Sequence, residues 1–230
     1  MENIHSGHRS RLKARFLREG LSGFTDVQVL ELLLFYAVPQ KDTNPIAHDL
    51  LNRFGTLSAV LEARPEELMA VAHIGESAAV LLNLVPQLLG RYLESGRDPG
   101  AVLLTTTQCG QYLVPYFFGA REEQVYLLCL DAKCKVLACR QVCKGSVNTA
   151  AVSVRKVVEA AINANAASVV LAHNHTSGIA LPSEADKLTT QRLYDALNAV
   201  DVLLADHIII AGDDFVSLAD DGFFEKLQSK

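Results

Sequence analysis

The spacing of hydrophobic residues changes character about one hundred residues into the chain. Before that point, apolar positions recur every three or four residues, which is the period of an amphipathic helix. Gly, Pro and Asn-Pro signals interrupt the pattern and mark helix ends. The predicted helices cover residues 8–19, 26–37, 45–54, 57–63, 65–72 and 77–93. We therefore expect the first part of the chain to be all-helical.

In the rest of the chain, short β-branched runs alternate with helical patterns. The predicted strands cover 125–130, 136–143, 168–173, 207–211 and 215–218, and the predicted helices cover 153–165 and 183–199. This alternation is typical of an α/β or α+β sheet with flanking helices. Residues 94–100, Glu-Ser-Gly-Arg-Asp-Pro-Gly, have the composition of a linker. We expect a helical domain, 1–100, followed by a sheet domain, 101–230.

The composition is that of a globular protein with a sizeable core. Of the 230 residues, 50% are hydrophobic and 20% are charged, and this length allows two small domains. The first twenty residues form a basic amphipathic segment rather than a secretory signal. The longest apolar stretch, around 29–38, contains Glu31 and is too short to cross a bilayer. These features predict a cytoplasmic protein that does not contact membranes.

The cysteine pattern indicates whether the chain contains disulfides. The cysteines are odd in number and form no Cys-x-x-Cys pair: Cys109, Cys129, Cys134, Cys139 and Cys143. They are expected to be reduced core residues, although a second metal site from the last three is an alternative.

The net charge is −5, so any nucleic-acid contact must be local. The one basic cluster, between Arg9 and Arg18, fits a solvated helix face.

Metal-binding side chains are concentrated after the predicted strand 168–173. His173 and His175 are two residues apart, so on a strand they project to the same side. Ser183 stands at the expected N-cap of the next helix, and Asp186 falls in its first turn. Each part alone is also what an ordinary strand end or helix cap contains. Together they are the ligand set of a hydrolytic zinc site, which keeps a fourth position for water.

These residues resemble a known family. His173-x-His175, with Ser183 and Asp186 eight and eleven residues further on, is similar to the JAMM motif of JAB/MPN-type metalloproteases. The wider context, including His-Asn-His-x-Ser-Gly and Asp206-His-Ile-Ile-Ile, resembles the bacterial RadC proteins, named as DNA repair proteins. The resemblance covers nearly the whole chain. It implies a mixed sheet with flanking helices, of the cytidine-deaminase-like JAB/MPN type, and zinc-dependent cleavage of a peptide, isopeptide or other amide bond.

The resemblance also implies roles for single residues. In the family motif the two histidines and the aspartate bind Zn²⁺, which points to His173, His175 and Asp186. The serine, here Ser183, helps to stabilise the tetrahedral intermediate, and a glutamate upstream is the general base.

Two neighbouring glutamates could supply that base. The RadC pattern places the glutamate eight residues before the residue that ends the first strand, and counting back from Asp131 gives Glu123. Glu122 is the alternative. Because neighbours on a strand face opposite ways, only one of the two can face the site.

The N-terminal half carries the competing hypothesis. Residues 68–80 resemble one helix-hairpin-helix, an element that binds DNA phosphates through backbone amides at a helix start. His73 replaces the usual first glycine, and Glu76 stands where a basic residue would help. A small helical bundle that docks a partner is an equal alternative. The competing functions are thus a zinc metallopeptidase and a DNA-repair or recombination module that binds DNA, whose metal domain is structural or recruits partners.

Overall fold

The computed structural model describes residues 4–96, 98, 100–145 and 152–228. The chain forms two compact units, an N-terminal unit, Met1–Leu88, and a C-terminal unit, Leu89–Lys230. The division falls inside a helix that continues to Ser95. The predicted linker 94–100 therefore begins as helix, and its residues 97 and 99 lie outside the described residues. In the described parts of the chain, no helix has both the length and the apolar character needed to span a membrane.

The N-terminal unit is helical, as the sequence predicts. In chain order the helices are α1 (Ile4–Glu19), α2 (Asp26–Ala37), α3 (Asn44–Phe54), α4 (Leu57–Glu62), α5 (Pro65–Met69) and α6 (Glu76–Ser95). Thr25 forms a capping box with Gln28 at the start of α2, and Thr56 caps α4. Fully buried side chains of the core include Leu30, Leu34, Leu50, Val60, Leu68 and Leu82. Burying each such side chain stabilises the fold by about 1.5–3 kcal/mol.

The C-terminal unit is built on a five-stranded mixed sheet. Its elements in chain order are α7 (Thr106–Leu113), a 3₁₀ helix (Val114–Phe117), β1 (Gln124–Leu130), β2 (Val136–Lys144), α8 (Val154–Asn163), β3 (Ser168–Asn174), α9 (Glu184–Asn198), β4 (Leu203–Ala211), β5 (Asp214–Ser217) and α10 (Phe223–Gln228). The strand order is β2-β1-β3-β4-β5, and only β3 and β4 among these neighbours run parallel. Helix α9 forms the crossover between these two strands. The mixed sheet with flanking helices, preceded by a helical region, confirms the architecture expected from the sequence.

Helices cover both faces of the sheet, and strand alternation decides which residue faces which layer. Val125, Leu127, Val169 and Leu171 pack in one cluster with residues of α8 and α9. The intervening residues, such as Leu128, Val170 and Ala172, pack in a second cluster with residues of α7 and the 3₁₀ helix. His173 continues the first set by alternation. Its side chain therefore lies on the α8/α9 face, close to the start of α9.

Helix α7 was not predicted from the sequence. Thr105 caps it, accepting a hydrogen bond from the backbone N–H of Gln108. Its Thr and Gly residues are poor helix formers, so the helical pattern in this segment is weak. Gly110 is required by packing, because a Cβ at this position would come within 2.3 Å of the Phe215 ring on β5. Tertiary contacts therefore stabilise this helix more than its own propensity does.

A β-bulge in β4 changes the facing of its side chains. Val169 pairs with Leu204 and Val170 pairs with Asp206, so Ala205 is an extra residue on β4. Ala205 and Asp206 both lie toward the α7 face, and His207 then faces α9 beside Leu171. Strict alternation from Leu204 would have turned Asp206 toward α9 instead. The bulge thus delivers an imidazole to the face that carries His173.

Candidate metal centre

Three predicted ligands converge where β3 ends and α9 begins. His173 is the penultimate residue of β3, His175 follows the strand, and Asp186 lies in the first turn of α9. Their ligand atoms all lie within 4.8 Å of one another. No other group of three or more His, Cys, Asp or Glu side chains converges in this way among the described residues. The cysteines are free thiols. Among the described residues, Cys134, Cys139 and Cys143 do not form the alternative metal site.

The distances between the ligand atoms match the spacing around one ion. Nε2 of His173 lies 2.9 Å from Nε2 of His175 and 3.1 Å from Oδ1 of Asp186. Nε2 of His175 lies 3.4 Å from Oδ2 of Asp186. Atoms that coordinate a tetrahedral Zn²⁺ at 2.0–2.1 Å stand roughly 3.3 Å apart. The three side chains could therefore reach one cation with little movement.

The Asp186 carboxylate is oriented by Ser183. Its Oδ2 accepts hydrogen bonds from the backbone N–H of Ser183, at 2.7 Å, and from the Ser183 hydroxyl, at 2.6 Å. Its Oδ1 is buried and accepts no hydrogen bond, although Nε2 of His173 is only 3.1 Å away. A buried carboxylate oxygen without a donor is costly, and a bound cation would remove that cost.

The charge state of Asp186 suits a metal ligand. Burial raises the pKa of its carboxyl group, but the neighbouring His173 ring and the hydrogen bonds from Ser183 outweigh burial and hold the pKa well below the usual value.

The contacts of His175 also suit a metal ligand. Its Nδ1 lies 3.2 Å from the carbonyl oxygen of Ile179, which can only accept, so Nδ1 carries the proton and Nε2 keeps its lone pair. The donor set therefore fits a divalent cation.

Ser183 lies beside this centre, but its hydroxyl is engaged. It donates to Asp186 and accepts from the Asp186 backbone N–H at 3.2 Å, which completes a capping box at the start of α9. Ser183 and Asp186 can therefore form a helix cap and also contribute to a metal site. The two interpretations are compatible because the cap orients the carboxylate of Asp186.

Glu123 lies on the neighbouring strand and is not part of the converging group. It is half-buried just before β1, whereas Glu122 is exposed. Val125 pairs with His173, and continuing this antiparallel register by two residues brings Glu123 opposite His175. The Asn174 side chain holds the backbone on both sides of Glu123. It accepts from the N–H of Gln124, at 2.7 Å, and donates to the carbonyl of Glu122, at 3.3 Å.

Two buried residues behind the centre were not assigned from the sequence. Nε2 of His207 lies 2.8 Å from Nδ1 of His173, and Nδ1 of His207 lies 2.6 Å from the hydroxyl of Thr190. That hydroxyl donates to the backbone carbonyl of Asp186 at 2.6 Å. Burial, and to a lesser extent the neighbouring His173 ring, keep the pKa of His207 well below its usual value. The His207 ring is therefore neutral. The only sequence signal was the Asp206-His207 pair ahead of three isoleucines.

Comparison with known proteins agrees with this geometry. A family model described as a RadC-like JAB domain matches residues 103–223, which include His173, His175, Asp186 and Glu123. The UPF0758 protein PSHAa2643 of Pseudoalteromonas translucida (strain TAC 125) is 34% identical over 212 residues, which cover 92% of this chain and 95% of that protein. The match extends through both units. The chain therefore belongs to the family of proteins that carry a RadC-like JAB domain.

Proposed function

We propose that this protein is a zinc-dependent hydrolase of the JAMM type that cleaves an amide bond in a peptide or isopeptide. One observation carries the proposal: His173, His175 and Asp186 converge with spacing that suits one ion. His173 and Asp186 are almost completely buried, whereas the side chain of His175 is 16% exposed. A substrate would therefore approach past His175, while the other two ligands shield the centre from bulk water.

Each ligand contributes in its own way. Zn²⁺ held by these residues would polarise the substrate carbonyl and lower the pKa of a water molecule. His173 and His175 contribute neutral nitrogen donors, and Asp186 contributes the one negative charge. Ser183 keeps Oδ1 of Asp186 directed at the His173 ring by holding Oδ2.

Glu123 is proposed as the general base that takes a proton from water and returns it to the leaving nitrogen. The strand register supports Glu123 over Glu122, because alternation turns residue 123 to the same face as His173 and residue 122 to the other face. The hydrogen bonds of Asn174 fix the backbone on either side of Glu123, which limits how far its carboxylate can move.

Ser183 is proposed to stabilise the oxyanion of the tetrahedral intermediate, as the family motif implies. Its hydroxyl donates to Asp186 at 2.6 Å, so it must turn away from that carboxylate before it can donate to substrate. Its backbone N–H continues to hold Oδ2 while the hydroxyl turns.

Metal analysis of purified variants tests the site. We expect about one Zn²⁺ per chain in the wild type, and little in His175→Ala and Asp186→Ala, because each removes one of three protein ligands. His48→Ala and Asp195→Ala are matched controls, since both residues are exposed and lie outside the centre. The controls should keep the wild-type zinc content. Stoichiometric zinc in both ligand variants would contradict the assignment.

A second candidate function is DNA binding by the N-terminal unit. His73, in the connection between α5 and α6, adopts a left-handed backbone, φ 70°, where the resemblance expects glycine. A cavity of about 390 Å³ at the start of α6 is lined by residues that include Lys41, His73 and Ser77. A phosphate there would meet the positive end of the helix. Glu76 lines the same cavity and opposes an anion, so this candidate ranks second.

A further inference from the structure

We propose that this protein forms a dimer in which one face of α6 packs antiparallel against the same face of a second copy. Four large apolar side chains of this helix are exposed at intervals of four residues: Val80 by 58%, Leu84 by 50%, Leu88 by 59% and Tyr92 by 71%. Residues four apart are neighbours on a helix surface, so these side chains form one row, which we call the α6 stripe.

The α6 stripe lies on the side of the helix that faces away from the helical core. Ala78, Ala79 and Leu82 are buried in that core and lie on the other side of α6. Pro86, inside the helix, also lies on that other side, so its ring does not interrupt the stripe. A continuous exposed apolar row on a helix that is buried on its opposite side typically marks a contact with another protein.

The charges beside the α6 stripe favour a second copy as the partner. Glu76 stands at the start of the stripe and Arg91 near its end, and both side chains are exposed. Successive helix residues are about 100° apart, so Glu76 and Arg91 lie to the same side of the midline of the stripe. Within the described parts of the chain, neither residue forms a salt bridge. A two-fold axis reverses one helix relative to the other and brings the same side of both copies together.

The positions of the two charges give the register of the pair. Glu76 is eight residues before Leu84, and Arg91 is seven residues after it. In an antiparallel pair centred on Leu84, each Glu76 therefore lies within roughly 1.5 Å, along the helix axis, of Arg91 in the other copy. Val80 lies opposite Leu88 in the same arrangement. A parallel pair would instead place like charges side by side, which opposes association.

Sedimentation equilibrium of the full chain at a series of concentrations tests the dimer without metal or substrate. We expect the wild-type mass to approach twice the 25.0 kDa of one chain as the concentration rises. Leu84→Lys places a charge at the centre of the apolar contact and should raise the dimer dissociation constant at least about tenfold. Leu17→Lys is the matched control, because Leu17 is an exposed leucine on α1, and it should dimerise like the wild type. A monomeric wild type, or a dimer that Leu84→Lys does not weaken, would overturn the proposal.

Charge reversal tests the antiparallel register. Glu76→Arg and Arg91→Glu each bring like charges together in two symmetric contacts, so we expect each to raise the dissociation constant about 3- to 30-fold at low salt. The double variant exchanges the two charges and should return the constant to within about threefold of the wild-type value. Circular dichroism of all three variants should match the wild type, since both positions are exposed. No weakening in the single variants, or no recovery in the double variant, would overturn the antiparallel arrangement.

Discussion

Glu123 is the residue on which the proposed hydrolytic step depends most directly. It lies just before β1, where the extended strand register places it opposite His175, and it is outside the ligand group, so its replacement should separate chemistry from metal binding. We expect Glu123→Gln to keep about one Zn²⁺ per chain and to lose about 10²- to 10⁴-fold in cleavage rate, as for loss of a general base. Cleavage can be followed by mass spectrometry on a mixture of peptides and isopeptide-linked peptides.

Glu122→Gln is the matched control for this experiment, because it changes the same functional group one residue away. Alternation turns Glu122 to the other face of the strand, so its variant should cleave like the wild type. Loss of cleavage in Glu122→Gln, with full activity in Glu123→Gln, would move the base to Glu122. Full activity in both would remove the glutamate from the mechanism.

At the residue scale, local spacing was enough to predict which three side chains converge, but not which residues lie behind them. His173-x-His175 and Ser183-x-x-Asp186 are short-range patterns, and the backbone periods of strand and helix bring each pair together. The contact between His173 and His207 joins residues 34 positions apart and depends on a bulge. Simple alternation along β4 would have turned His207 away from the site. No short-range pattern could therefore have revealed it.

At the element scale, the packing of α7 against β5 gives a test of the fold. Replacing a helical glycine with alanine normally stabilises a helix, by roughly 1 kcal/mol. At Gly110 the new Cβ would lie 2.3–2.6 Å from three atoms of the Phe215 ring. We therefore expect Gly110→Ala to lower the free energy of unfolding by about 1–3 kcal/mol, measured by urea denaturation.

The exposed neighbour Gln111 offers a control on the same helix. Gln111→Ala should change the free energy of unfolding by less than about 0.5 kcal/mol. Wild-type stability in Gly110→Ala would mean that the Phe215 ring moves aside without cost. The comparison isolates the contact between α7 and β5 from helix propensity.

Helices and strands with strong periodicity were predicted well, and weakly patterned ones were not. Helix α2 matches its predicted bounds, 26–37, because a capping threonine and a continuous apolar run define both ends. Helix α7 and the C-terminal α10 were not predicted, and in α7 the Thr and Gly residues, which are poor helix formers, weaken the helical pattern. Strand β4 begins four residues earlier than predicted, at Leu203, because the bulge interrupts the period-two pattern there.

At the scale of the whole molecule, the second candidate function makes a separate prediction. If the N-terminal unit binds DNA phosphates beside α6, binding should weaken steeply as salt rises, because counterions are displaced from the DNA. A gel-shift titration at several salt concentrations measures this dependence. Lys41→Glu should weaken binding and reduce the slope of log affinity against log salt by about one for each phosphate that Lys41 neutralises.

Lys133→Glu makes the same charge change in the C-terminal unit and should leave DNA binding unaltered. Equal weakening by both variants would indicate a general charge effect rather than a site at Lys41. Absence of binding even at low salt would remove the DNA-binding candidate and leave the metal centre untouched. The net charge of −5 makes this control necessary, because bulk charge already disfavours contact with DNA.

The organisation into a helical part and a sheet part could be predicted from the change in hydrophobic period, because period reflects local backbone geometry. The position at which the two units divide could not be predicted from the sequence. It falls at Leu88 and Leu89, inside α6, whereas composition pointed to the Gly and Pro residues of 94–100. A helix that continues through such a division leaves no linker signal in the sequence.

The bulge at Ala205 has a consequence for how relatives of this protein can vary in length. Because Ala205 is the surplus residue, a relative that lacks it can pair Leu204, Asp206 and His207 with β3 as before and keep the imidazole beside the first ligand. An extra residue between Asp206 and His207 would instead turn the imidazole to the opposite face. A deletion at Ala205 and an insertion just after Asp206 therefore have opposite effects on the candidate metal centre.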